Sequence, residues 1–104
     1  MAVIGKRVAY RTSWTEGDEP KPGDYWKEPA GWGGVTPNGH FCNLSKHAVT
    51  EHGDGTISVS PSIEVKGGVG DYWHGFLKRG VWYKDNESPS DADIDRIRKE
   101  AGLS

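Results

Sequence analysis

Five tryptophans and four tyrosines stand against three leucines in this chain, and that imbalance limits its core more than any other feature. Leu, Ile, Val and Phe together make up 18 of the 104 residues, fewer than ordinary folded domains carry. Such a deficit accompanies disorder when net charge is high and aromatics are few. Here the formal charge is only −2 and the rings are many. Each buried aromatic removes on the order of 150–250 Å² from water. The expectation is therefore one folded domain over residues 1–104 with a core of aromatics and valine.

Turn signals set the fold class. Gly53-Asp54-Gly55 leads into Thr56-Ile57-Ser58-Val59-Ser60, where Ile57 and Val59 alternate with hydroxyl residues; Asp-Gly between two such segments marks a hairpin. Thr36-Pro37-Asn38-Gly39 reads as a turn, with short strands expected at 41–44 and 46–51. Pro61 implies an edge or a bulge, Ile63 and Val65 resume the alternation, and Gly67-Gly68-Val69-Gly70 reads as a connector. Residues 72–77 and 81–83 form a second hairpin around Lys78-Arg79-Gly80. Its Tyr72, Trp73, Phe76, Trp82 and Tyr83 are read as sheet core rather than a ligand-stacking platform. Val8 and Tyr10 alternate with charged neighbours, as in a strand within residues 3–14. The whole predicts a mainly β (α+β) fold, a small antiparallel sheet of about five to seven short strands with one C-terminal helix.

That helix is expected over residues 89–101. Ser88 precedes a proline suited to a first turn, Asp91, Asp93 and Asp95 lie near its start, and Arg96, Arg98 and Lys99 lie near its end. Ile94, Ile97 and Ala101 share one face, and Gly102 supplies the stop.

Residues 16–34 are harder to place. Three prolines and five glycines give loop composition, yet a solvated linker has no use for Tyr25, Trp26 and Trp32. The segment reads as an irregular loop whose rings are either pinned onto the domain or exposed as anchors for a protein partner. These three residues are the candidate interface.

Two kinds of chemistry are conceivable. His40, Cys42, His47 and His74 are candidate metal ligands, since thiolate and imidazole are the donors zinc prefers; His52 lies nearby in sequence. With one cysteine and no Cys-x-x-Cys, a structural site would be weak, and His47 and His52 would point to opposite faces of a regular strand. Ser60 and Ser62 flank Pro61, and His47 or His74 could approach one of them as in a hydrolase, although no Gly-x-Ser-x-Gly elbow or acid partner is evident. Asp54 with Asp71 is a further carboxylate pair to consider, with Asp54 better explained as a turn residue. Scattered Lys and Arg at near-neutral charge argue against a nucleic-acid face. No apolar run approaches the roughly 18–20 residues of a membrane helix, and a lone thiol fits a reducing cytoplasm.

The run from Thr36 to Trp82 resembles a family of short zinc-ribbon-like β domains encoded mostly by bacteriophages and prophages. The resemblance rests on Thr36-Pro37-Asn38-Gly39-His40, Lys46-His47, Gly55-Thr56-Ile57, Ser60-Pro61-Ser62-Ile63, Tyr72-Trp73-His74-Gly75-Phe76 and Gly80-Val81-Trp82. Family cysteines are replaced here: Thr36 and Val65 stand near two such positions, and no cysteine precedes His74. The resemblance implies a non-enzymatic accessory protein acting through a protein partner in the bacterial host cytoplasm, or as a virion component. An inhibitor of a host defence system, such as an anti-CRISPR protein, is one example. The alternatives are a metal-binding domain using these His and Cys residues, and a small hydrolase-like enzyme using His47 and His74.

Overall fold

A computed structural model describes residues 2–11, 17, 19–66, 72–87 and 89–102. Among them the order is β1 (Val3–Ile4), β2 (Lys6–Arg7), β3 (Asp24–Glu28), β4 (Gly31–Val35), β5 (Phe41–Asn43), β6 (Ala48–Glu51), β7 (Ile57–Lys66), β8 (Tyr72–Lys78), β9 (Val81–Lys84) and α1 (Asp91–Glu100). The fold is mainly β with a C-terminal helix. Its nine described strands exceed the expected number and form two sheets, one in the order β1-β9-β8-β7-β6 and one in the order β2-β3-β4-β5. A sheet with one apolar face needs a cover, and each sheet covers the other. Tyr25 and Trp32 of the four-stranded sheet meet Ile57, Val59, Ile63, Trp73, Leu77 and Trp82 of the five-stranded one, with Leu44 between.

The strand expected within residues 3–14 is split at Gly5. β1 pairs with β9, whereas β2 joins the other sheet parallel to β3. This parallel pair departs from the all-antiparallel expectation, and the long connection before β3 is what allows it. Gly5 is buried at the crossing: a Cβ there would lie 2.8 Å from Trp82 Nε1 and 2.9 Å from the carbonyl oxygens of Gly23 and Gly80. The Gly5 amide donates to Gly80 O (2.7 Å), and Trp82 Nε1 donates to Gly23 O (2.9 Å). One indole thereby ties the two sheets together. Trp14, Glu16, the connector at residues 67–70, Asp71 and Ser88 lie outside the described residues.

From Asp24 onward the expected irregular loop is instead the β3–β4 hairpin, with its turn at Pro29-Ala30, while residues 17 and 19–23 lie outside any strand. Strands as rich in glycine as Gly31-Trp32-Gly33-Gly34-Val35 are weakened by lost entropy, but these glycines have a packing role. A Cβ on Gly33 would sit 2.7 Å from the Trp26 indole nitrogen, and one on Gly75 would sit 2.7 Å from the Trp73 ring. Indoles this wide lie flat on a sheet only where the floor has no side chain.

β7 runs on through Pro61, where the register against β8 shifts between Val59↔Leu77 and Ile63↔Gly75. Residues 60–62 therefore oppose Phe76 alone, a bulge at the position of a residue with no N–H to give the ladder. The helix begins two residues later than expected. Its N-cap is Ser90, whose hydroxyl accepts from the Asp93 amide while the Asp93 carboxylate accepts from the Ser90 amide. Pro89 thus precedes the helix. Ile94 is fully buried and Ile97 half-buried, but Ala101 is exposed, and the buried Arg98 takes its place through an ion pair with Asp54. Further ion pairs, Lys78–Asp91 and Arg79–Asp95, fasten the helix at the β8–β9 turn.

Candidate functional site

Tyr25, Trp26 and Trp32, the candidate interface, are 1%, 5% and 9% exposed. Tyr25 and Trp32 belong to the core between the sheets, and burial pushes the Tyr25 phenol up to about 12. Arg7 and Lys27 cover the Trp32 ring, at 5.0 and 5.8 Å from its centroid. Trp26 lies across Gly33, donating to Glu28 Oε1 (2.9 Å) with the exposed Phe41 tilted against it at 6.0 Å. These rings are architecture, because β3 and β4 place them against the fold before any partner arrives. The β8–β9 aromatics divide between the faces. Trp73 and Trp82 are buried edge to face at 5.6 Å. Phe76 and Tyr83 stack at 5.3 Å on the outer face, and Tyr72 is 53% exposed there.

The metal-ligand candidates do not assemble. Cys42 lies on β5 of the four-stranded sheet, its thiol against Gly34 O (3.5 Å), and burial pushes that thiol up to about 12. His40 closes the Thr36 turn through its amide, which donates to Thr36 Oγ1 (3.1 Å). His47 precedes β6, and His74 is on β8 of the other sheet. Among the described residues no group of three or more His, Cys, Asp or Glu side chains is placed to hold a metal ion. The zinc suggested by the resemblance therefore finds no donor set there.

His47 and His74 do converge, on Ser62. The bulge at Pro61 leaves Ser62 on the outer face, where its Oγ lies 2.8 Å from His74 Nε2. Its carbonyl oxygen accepts from His47 Nε2 (3.2 Å), whose buried Nδ1 has no hydrogen-bond partner among the described residues. On the far side of His74, Nδ1 lies 2.9 Å from Asp85 Oδ2. A carboxylate only accepts, so in the neutral ring the proton sits on Nδ1 and the Nε2 lone pair faces the Ser62 hydroxyl. The His74 side chain is 28% exposed and that of Asp85 52%. Tyr72 donates to Glu64 Oε2 (2.8 Å) beside them, and that carboxylate raises the phenol's pKa.

Asp85 was not evident as an acid partner from sequence, although the signal was present. The turn joining β8 and β9 is the pair Arg79-Gly80, both with positive φ (49° and 82°), which closes Lys78↔Val81. Counting outward from that two-residue turn sets His74 opposite Asp85, and the Asp85 amide does donate to His74 O (3.1 Å). Opposite residues share a face, so a carboxylate at that position must lie beside the imidazole.

No family model, curated protein or solved structure matches the chain. Among the described residues no helix is long and apolar enough to cross a membrane.

Proposed function

We propose that this chain is a small phage- or prophage-type accessory protein that acts by binding a protein partner, in the bacterial host cytoplasm or on the virion. The partner meets the outer face of the five-stranded sheet around Ser62, His74, Asp85, Tyr72 and Glu64. One observation carries this reading: two neighbouring sets of polar groups, Ser62–His74–Asp85 and Tyr72–Glu64, are each held by internal hydrogen bonds. Groups ordered in advance lose little entropy when a partner docks, and tyrosine is a frequent interface anchor. The helix is fastened at the β8–β9 turn, away from these residues. The order of short motifs from Thr36 to Trp82 supports the phage assignment, and an inhibitor of a host defence system fits the same surface.

The test is capture by the immobilised full chain from a bacterial host lysate, repeated with the double variant Tyr72→Ala/Glu64→Lys. The reading expects a captured protein that the variant loses while its thermal melt is unchanged. Capture that is equal with the variant would place the partner surface elsewhere.

A further inference from the structure

The outer face supports a second reading, which does not depend on the binding one. We infer that Ser62, His74 and Asp85 form an acyl-transfer relay, with Ser62 as nucleophile, His74 as general base and Asp85 as the residue that positions the imidazole, acting on small activated carboxylic esters.

Three observations carry it. The Ser62 Oγ to His74 Nε2 and His74 Nδ1 to Asp85 Oδ2 distances, 2.8 and 2.9 Å, fall within the reach that proton transfer requires. The order hydroxyl, imidazole, carboxylate runs through opposite ring nitrogens, the arrangement that activates a serine whatever the fold around it. A cavity of about 260 Å³ opens farther along the same two strands, lined by Thr50, Ser58, Ser60, Phe76, Lys78 and Tyr83 among others. Two of its lining residues, Phe76 and Ser60, stand two positions from His74 and Ser62 along β8 and β7.

A second Ser–His pair provides contrast. His52 Nε2 lies 2.8 Å from Ser58 Oγ, yet among the described residues no carboxylate is hydrogen-bonded to His52, and the Arg79 amide also donates to Ser58 Oγ. That hydroxyl is occupied, and its imidazole has no acid behind it.

In the reaction, Ser62 Oγ bonds to the ester carbonyl carbon as its proton passes to His74 Nε2. The C–O bond to the leaving group breaks, and that oxygen takes the proton back from Nε2. Water, deprotonated by the same nitrogen, then attacks the acyl carbon; the bond to Ser62 Oγ breaks, Nε2 returns the proton to Oγ, and the carboxylic acid leaves. No oxidant or metal enters the balance.

The experiment exposes the full chain to p-nitrophenyl acetate and to a fluorophosphonate, following p-nitrophenol release and intact mass with peptide mapping. The expected result is a burst approaching one equivalent and a single phosphonyl adduct on Ser62. Ser62→Ala abolishes both, and His74→Gln slows acylation by about 100-fold or more. Asp85→Asn lowers the acylation rate with KM nearly unchanged, a split that a purely structural residue would not give, and His52→Gln leaves the burst intact. Thermal melts of all variants are taken alongside, so that lost labelling in a folded variant is attributed to chemistry. Absence of any adduct on the wild-type chain, or an adduct that persists in Ser62→Ala, overturns the inference. Neither result bears on partner capture, whose test leaves the relay untouched.

Discussion

Trp82→Ala should be the most damaging single substitution in this domain. The side chain is fully buried, meets Trp73 edge to face at 5.6 Å and donates to Gly23 O across the two sheets. Removing roughly 200 Å² of buried ring at about 25 cal/mol per Å² forfeits about 5 kcal/mol of transfer free energy. Partial collapse around the alanine methyl recovers some of this, whereas the hydrogen bond lost at Gly23 O, which keeps the Lys6 amide (3.2 Å), costs about 1 kcal/mol. The net expectation is a loss of about 3–5 kcal/mol, a large share of the ~5–15 kcal/mol that holds a domain together. Urea melts followed by circular dichroism measure it. With a slope near ~1 kcal/mol per M, the midpoint falls by about 3 M, or the variant is unfolded without denaturant. Tyr72→Ala, in the same hairpin but 53% exposed, should stay within about 0.5 kcal/mol of the parent. A Trp82→Ala loss under about 1 kcal/mol would refute the reading of an aromatic core joined through this indole.

Three further outcomes follow from the packing. The Thr56 hydroxyl and amide, with the Arg98 guanidinium, hold the Asp54 carboxyl down to about 2. A carboxyl depressed in this way contributes stability that is present above its unfolded value of about 4 and is lost as pH falls through about 2. Asp54→Asn should therefore flatten the acid limb of a urea-midpoint profile, and parallel profiles would contradict this. Cys42, whose thiol burial pushes up to about 12, should resist iodoacetamide at pH 8 in the folded chain and react fully in urea. Thermal melts with and without a strong chelator should coincide, since the described residues assemble no group of metal ligands; a large drop in midpoint with one zinc per chain would contradict it.

Local patterns made much of the fold legible. Asp54-Gly55 and the alternation of Ile57 and Val59 mark the β6–β7 hairpin, and of the five rings expected in the core Trp73 and Trp82 lie inside while Tyr72, Phe76 and Tyr83 face outward. Three features stayed hidden for a shared reason, that glycine and turn composition does not reveal register. Gly33 and Gly34 read as loop because their use, a bare floor beneath Trp26 and beside Trp82, depends on a strand pairing that composition does not show. Gly5 read as an ordinary strand residue because the crossing between sheets depends on Trp82, far along the chain. Asp85 is not evident as an acid partner because Lys78-Arg79-Gly80 reads as a three-residue turn. A two-residue turn fixes a different register and brings the carboxylate to His74. The convergence of His47 and His74 on Ser62 needed the Pro61 bulge, whose presence was foreseeable from the proline but whose effect on side-chain direction was not.

The outer face matters to both functional readings because Asp85, His74 and Ser62 hold each other in place, and the proton on His74 reports that directly. Long-range ¹H–¹⁵N NMR of the imidazole, at a pH where the ring is neutral, distinguishes its tautomers. With Asp85 accepting from Nδ1 at 2.9 Å and Ser62 Oγ at 2.8 Å from Nε2, His74 should be the Nδ1–H tautomer, and Asp85→Asn should erode that preference. A wild-type His74 in the Nε2–H form, or one exchanging between forms as a free imidazole does, would contradict the account.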